Sequence, residues 1–257
     1  MVEVQTNGSV ASIRLARPEV RNAFNSQLIA DLTDSFRSLS EASDVRVVVL
    51  SGEGKAFCGG ADINWMRASL DLSEEDNVAD ARRMSDMFRV IDRCGKPVVG
   101  KIHGAALGGG AGLVAVCDVA IAAADTVFGF TETKLGILPA VISPFVLAKI
   151  GVSQARALFL TGERFSAKRA QAIGLIHQTV AAAELDHAVE TVCNELRSAA
   201  PSAVAAAKET IVKVSEVSYA QTRDLTAQII ARQRTTPEGQ EGLRAFLERR
   251  KASWNID

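Results

Sequence analysis

Two glycine-rich turns, Phe57-Cys58-Gly59-Gly60-Ala61-Asp62 and Gly104-Ala105-Ala106-Leu107-Gly108-Gly109-Gly110, are the segments of this chain best suited to chemistry. Each stands where a strand-like apolar run gives way to a helix-like one. Glycine opens backbone angles closed to other residues and lets a ligand approach the main chain. The helix that follows adds free N–H groups and the positive end of its dipole. Two such turns can aim two backbone N–H groups at one oxygen, which suits an enolate or a tetrahedral oxyanion. A single glycine turn reads equally well as tight packing; a matched pair favours the site. Phosphate cradling fails at the lysine, because a Walker turn ends Gly-Lys-Ser/Thr and here Ala111-Gly112 follow Gly110. A dinucleotide fingerprint fits poorly too, since Gly108–Gly112 lies in mid-chain and not after a first strand.

The elements that must hold these turns are legible from periodicity. Val2–Val4 and Val10–Leu15 flank Asn7-Gly8, a hairpin signal, so the first piece of sheet is predicted antiparallel. Ser26 reads as the N-cap of a helix whose apolar positions Leu28, Ile29, Leu32, Phe36 and Leu39 recur at helical spacing. Val45–Leu50 and Pro97–Ile102 are continuous apolar runs, predicted to be central strands covered on both faces. Helices are expected over Ala61–Ser69, Asp76–Arg93 and Gly110–Cys117, with a strand over Val119–Ala123. Strand, glycine turn and helix in repeated order imply a right-handed parallel winding. Beyond Ala140, Pro144 starts a helix to Ile150, Ser153 caps one to Leu160, and Ser166 caps a third that Gly174 ends. From Leu185 the chain reads as nearly all helix, with Pro201 and Pro237 in first turns and an apolar stripe of Val204, Ile211 and Val214 in need of a partner surface. The expected division is an α/β core over residues 1–196 and a helical segment over 197–257.

Composition narrows the classes of function. A net charge of −1 over 257 residues argues against a nucleic-acid binder working through a whole-protein positive field. The helix expected over Ser26–Ser40 offers only Arg37 against Asp31 and Asp34. The most apolar stretch, Ala105–Ala124, contains Asp118 and crowds glycines at its start, so it reads as a buried helix and strand and not as a membrane span. Cys58, Cys94, Cys117 and Cys193 show no Cys-x-x-Cys spacing, so free thiols in a reducing compartment are expected and no metal site. The N-terminus lacks the basic and apolar regions of a secretory signal, and a cytoplasmic location is expected.

The segments Lys55–Ile63, His103–Gly110, Cys117-Asp118 and Glu132–Pro139, with Arg17–Asn25 near the start and Glu241–Phe246 near the end, together resemble the crotonase (enoyl-CoA hydratase/isomerase) superfamily. The resemblance spans almost the whole chain. It implies an α/β spiral of strand–helix turns, a C-terminal helical segment that assembles a homotrimer or a dimer of trimers, and an acyl-CoA thioester as substrate with no separate cofactor. It also implies that the N–H groups of Ala61 and Gly109 form an oxyanion hole, and that Glu132 is the acid/base. Ala23, Phe24, Asp62, Ile63, Gly108 and Gly112 would contact the substrate, with Lys55 and Arg249 reaching the coenzyme A phosphates. Glu132 stands among apolar neighbours, which raises a carboxyl pKa if the group is buried. The departure from the family pattern is Gly112, where two-glutamate hydratases carry their first carboxylate. Single-glutamate members include double-bond isomerases. The run Leu138–Phe145, however, together with Gly110–Val114, resembles bacterial hydratases of 3-methylglutaconyl-CoA and isoprenoid-glutaconyl-CoA. Hydration of a branched or carboxylated enoyl-CoA is therefore the first reading, isomerisation the second, and an acyl-CoA binder with little turnover the third.

Overall fold

In the computed structural model, which describes residues 1–255, β1 (Val2–Asn7) folds back on β2 (Val10–Leu15) as the Asn7-Gly8 signal predicts. Helix α1 (Ser26–Glu41) follows, with Leu28, Ile29, Leu32, Phe36 and Leu39 buried. Its N-cap is Asn25 and not Ser26. Asn25 is extended, with φ −137°, and its side-chain oxygen accepts the Leu28 N–H at 2.8 Å, so Ser26 already lies inside the first turn. Strand β3 runs over Val47–Gly52, two residues on from the apolar run, because its parallel register with Val10–Leu15 of β2 sets both ends.

Next come α2 (Ile63–Ala68) and α3 (Glu74–Asp92), then β4 (Val98–Ile102), β5 (Ala105–Leu107), α4 (Gly109–Val116), β6 (Val119–Ala123) and β7 (Val127–Gly129). Ala105–Ala124 is thus β5, α4 and β6, and among the described residues no helix is long and apolar enough to cross a membrane. The two helices expected across Pro144–Leu160 join as α5 (Ser143–Thr161), interrupted at Gly151, which is non-helical with φ +69° and ψ 167°. The chain continues through β8 (Arg164–Ser166), α6 (Ala167–Ala172), β9 (Gln178–Val180), α7 (Leu185–Ser198), α8 (Pro201–Ser215), α9 (Tyr219–Thr235) and α10 (Pro237–Leu247). The expected division at residue 196 falls in the last turn of α7, and the nearest break between helices is Ala199-Ala200. The end of the expected segment, residues 256–257, lies outside the described residues.

The main sheet has the order β1-β2-β3-β4-β6-β9, antiparallel only at β1–β2. A smaller sheet has the order β5-β7-β8. Side chains alternate across a strand, and β3 uses both faces. Val48 and Leu50 enter the large core with α1, α3, α4 and α5, while Val47 and Val49 pack with Leu185, Ala188 and Val189 of α7. Burial on both faces explains why this strand reads as an unbroken apolar run. The adjacent parallel strands β3 and β4 both point toward one edge, and the glycine turns emerge there side by side. Ligands of parallel α/β sheets bind at that carboxyl edge.

Candidate active site

The two turns are zipped together by backbone hydrogen bonds. The Cys58 N–H donates to the Ala105 carbonyl and the Leu107 N–H to the Cys58 carbonyl, each at 3.0 Å. On its other side the first turn pairs with the N-terminal loop. The Phe24 N–H donates to the Gly60 carbonyl at 2.7 Å and the Asp62 N–H to the Phe24 carbonyl at 2.9 Å. Ala61 therefore belongs to an extended bridge opposite Phe24, and not to the helix expected from Ala61 onward, which opens at Ile63. N–H directions alternate along extended backbone, so with Asp62 facing Phe24 the Ala61 N–H turns away from Phe24. Ala61 is exposed, and among the described residues its N–H meets no backbone acceptor in this loop.

The second turn supplies the other donor. Gly108 stands at φ +52°, ψ −122°, a conformation that favours glycine, and is the N-cap of α4. Gly109 is the first helical residue, so its N–H has no partner four residues back in the helix. Gly110 lies so close to the first turn that an added β-carbon would stand 2.4 Å from the Cys58 carbonyl oxygen. Both turns need the absence of side chains for this approach.

Glu132 opens a short 3-10 turn, Glu132–Leu135, after β7, and its carboxyl lies against the second turn. A β-carbon on Gly108 would be 3.3 Å from Glu132 Oε1, and Oε2 is buried without a hydrogen-bond partner. Burial pushes this carboxyl above its ordinary pKa. A protonatable carboxyl packed on Gly108, next to the residue that opens α4, can give or take a proton at the carbons of a thioester bound there.

Other predicted residues divide. Phe24 is fully buried, and its ring edge and the Met84 methyl each stand 2.9 Å from where a Gly109 β-carbon would be, so Phe24 backs the second turn. Ala23 is buried and its carbonyl accepts from Arg17. The Asp62 side chain, expected at the substrate, is taken up by structural contacts. It is 5% exposed, Oδ1 accepts the Asn64 N–H as the cap of α2, and Oδ2 pairs with Arg17 at 2.8 Å. That guanidinium holds the Asp62 carboxyl below the ordinary range.

Gly112, also expected at the substrate, is packed against neighbouring side chains. It is buried, and a β-carbon there would stand 2.3 Å from Ile142 Cγ2 and 3.0 Å from Phe88 Cζ, so it lines no open space. Ile63 is 74% exposed at the start of α2, and Lys55 is exposed beside the first turn. Arg249 is exposed beyond α10, with its backbone N–H bonded to the Phe246 carbonyl, and among the described residues no hydrogen bond or ion pair joins it to the turns. His103 Nε2–H donates to the Gly54 carbonyl, 2.9 Å away, which ties the second turn to the loop after β3.

Sequence reasoning missed Arg17, Asn22, Met84, Phe88 and Ile142. Arg17 and Asn22 were in view within a recognised motif, but only their buried polar contacts reveal what they hold.

The carboxyl edge of a parallel sheet, two paired glycine turns and one half-buried glutamate form an arrangement suited to acid/base chemistry beside a backbone anion hole. The chain belongs to the enoyl-CoA hydratase/isomerase family, whose sequence pattern it matches over residues 5–256. It is 31% identical over 250 residues to a putative enoyl-CoA hydratase of Thermus thermophilus, covering 97% of this chain and 98% of the relative. It is also 32% identical over 240 residues to a peroxisomal Delta(3,5)-Delta(2,4)-dienoyl-CoA isomerase of Arabidopsis thaliana, covering 88% and 86%. Among solved structures, an enoyl-CoA hydratase from Shewanella pealeana superposes with TM-score 0.95 at 36% identity, covering 98% of this chain and 95% of that one. AtuE of Pseudomonas aeruginosa superposes with TM-score 0.96 at 36% identity, covering 99% of each chain.

Proposed function

We propose that this protein is an enoyl-CoA hydratase with a single acid/base. The thioester oxygen takes hydrogen bonds from the Ala61 and Gly109 N–H groups, which favours the enolate over the ground state. As water adds, its oxygen bonds to the β carbon and one of its protons passes to Glu132. The same carboxyl then delivers a proton to the α carbon, the enolate collapses to the thioester, and a 3-hydroxyacyl-CoA leaves. Coenzyme A is part of the substrate, so no separate cofactor enters. Ala23, Phe24 and Ile63 flank its entry to the site, with Lys55 as a phosphate contact and Arg249 as another once copies assemble. The observation that carries the reading is the Glu132 carboxyl packed on Gly108, next to the residue that opens α4.

A branched or carboxylated chain such as 3-methylglutaconyl-CoA is the finer reading, supported by the Leu138–Phe145 segment and by Gly112. Loss of the conjugated thioester absorbance measures hydration, and the 3-methylglutaconyl thioester is expected to react faster than crotonyl-CoA; equal or faster crotonyl turnover removes the finer reading. Glu132→Gln is expected to lower kcat by about 10²–10⁴-fold; unchanged turnover refutes the assignment.

Isomerisation is the second reading, favoured by the Ile142 and Phe88 side chains that fill the space over Gly112. A lone carboxyl can carry a proton between two carbons without water. A rise in conjugated absorbance from a 3-enoyl thioester is its signature.

A further inference from the structure

Arg17 is 45 residues from Asp62 in the chain, yet their side chains form an ion pair at 2.8 Å in which Arg17 is 11% and Asp62 6% exposed. Charges taken this far from water are costly unless well paired and hydrogen-bonded, and here the pairing ties two separate loops together. The second nitrogen of the guanidinium donates to the Ala23 carbonyl. Asn22, fully buried with φ +55°, extends the brace. Its side-chain oxygen accepts the Arg17 N–H at 2.8 Å, and its amide donates to the Glu53 and Ala56 carbonyls at 2.9 and 2.8 Å. Every one of these bonds ends on the loop 17–24 or on the chain from 53 to 62. Asp62 follows Ala61 directly, and Phe24, one residue past Ala23, makes the bridge to Ala61.

We infer that Arg17 is a positioning residue: its paired contacts to Asp62 and to the Ala23 carbonyl fix the direction of the Ala61 N–H. This rests on the oxyanion reading above. Ala61 has no side chain long enough to anchor itself, and it stands between Gly60, at φ +101°, and the cap of α2. A glycine before it leaves the peptide free to rotate; the ion pair removes that freedom from the other side. Arg17 does not touch the reacting atoms in this account. Its effect is on the transition state, where the N–H bond is strongest, and so on kcat more than KM.

The test uses the whole protein. Binding of cinnamoyl-CoA is followed by the red shift of its absorbance, which reports polarisation of the thioester carbonyl, alongside kcat and KM for hydration. Arg17→Met is expected to lower kcat by about 100-fold, the scale of a displacement near 1 Å, with KM within about threefold and the red shift diminished. Asp62→Asn, which keeps the cap on Asn64, should show the same pattern in a milder form, and Arg17→Lys should restore part of it. Circular dichroism identifies folded variants, and if Arg17→Met does not fold, Asp62→Asn decides. A folded variant with the wild-type red shift and kcat overturns the role of Arg17 while leaving the oxyanion hole in place. Absence of any red shift in the wild-type protein overturns the oxyanion reading itself, and the brace with it.

Discussion

Glu132 concentrates the chemistry and also a cost to the fold. Its carboxyl is raised above the ordinary value by burial, so below that folded pKa the native state holds its proton more tightly than the unfolded chain. Between the unfolded and folded values the native state binds more protons, and stability falls as pH rises through that window. Glu132→Gln removes this dependence. It should melt higher than wild type above the window and show a flatter dependence of melting temperature on pH from the ordinary carboxyl value upward. A buffer series of thermal melts checks this, and a variant that melts in parallel with wild type across the series contradicts it. The apolar setting of Glu132 was legible in Phe130-Thr131-Glu132, but its unpartnered oxygen was not. That depends on Gly108, 24 residues earlier in the chain, presenting no side chain to it.

Helix α4 joins the two halves of the site. Its N-terminus supplies the Gly109 N–H, and one turn later Gly112 N–H bonds back to the Gly108 carbonyl at 3.1 Å. The far wall over that turn is Ile142, 2% exposed, with Phe88, which itself sits between Phe24 and Phe145 at centroid distances of 6.1 and 5.9 Å. Alanine is a better helix former than glycine by about 1 kcal/mol. Overpacking a filled core costs about 1–3 kcal/mol, and a contact of 2.3 Å on a buried branched side chain is severe. Gly112→Ala is therefore expected to destabilise on balance. Ile142→Ala alone should cost about 2–5 kcal/mol, and the double variant should lose less than the sum, because each change relieves the other. Denaturant midpoints of the three variants measure the coupling; strict additivity contradicts the packing assigned to Ile142. From the sequence, Gly112 showed only that a carboxylate is missing. Which side chains fill the space depends on α5 crossing α4, a contact between elements far apart in the chain.

Across the whole molecule, the C-terminal helices behave differently from the core. Neither α8 nor α9 buries a residue, and Ile211, Tyr219, Phe246 and Leu247 are 72, 93, 82 and 78% exposed. A tie to the core is Lys208, whose Nζ meets Asp118 Oδ2 at 2.7 Å while the same oxygen accepts the Val98 N–H. Apolar side chains exposed to this degree are what association with another copy would cover. If the homotrimer or dimer of trimers that the family resemblance implies forms through these helices, Phe246→Glu should shift the protein from a trimer or hexamer toward monomer in light scattering. A wild-type protein that is monomeric at micromolar concentration removes the proposal.

Periodicity and turn chemistry alone determined the hairpin at Asn7-Gly8, the buried face of α1, the two-faced burial of the central strands and the glycine turns at their ends. These are local properties, because strand and helix periods and glycine angles act within a few residues. Three-dimensional packing decided the rest. It made Asp62 a strut for Arg17 and closed the space at Gly112 with Ile142. It also turned the Ala61 N–H away from Phe24. Each of these depends on which distant segment arrives beside a residue, and the side chain that fills a space or completes an ion pair is chosen by that meeting, not by its neighbours in sequence.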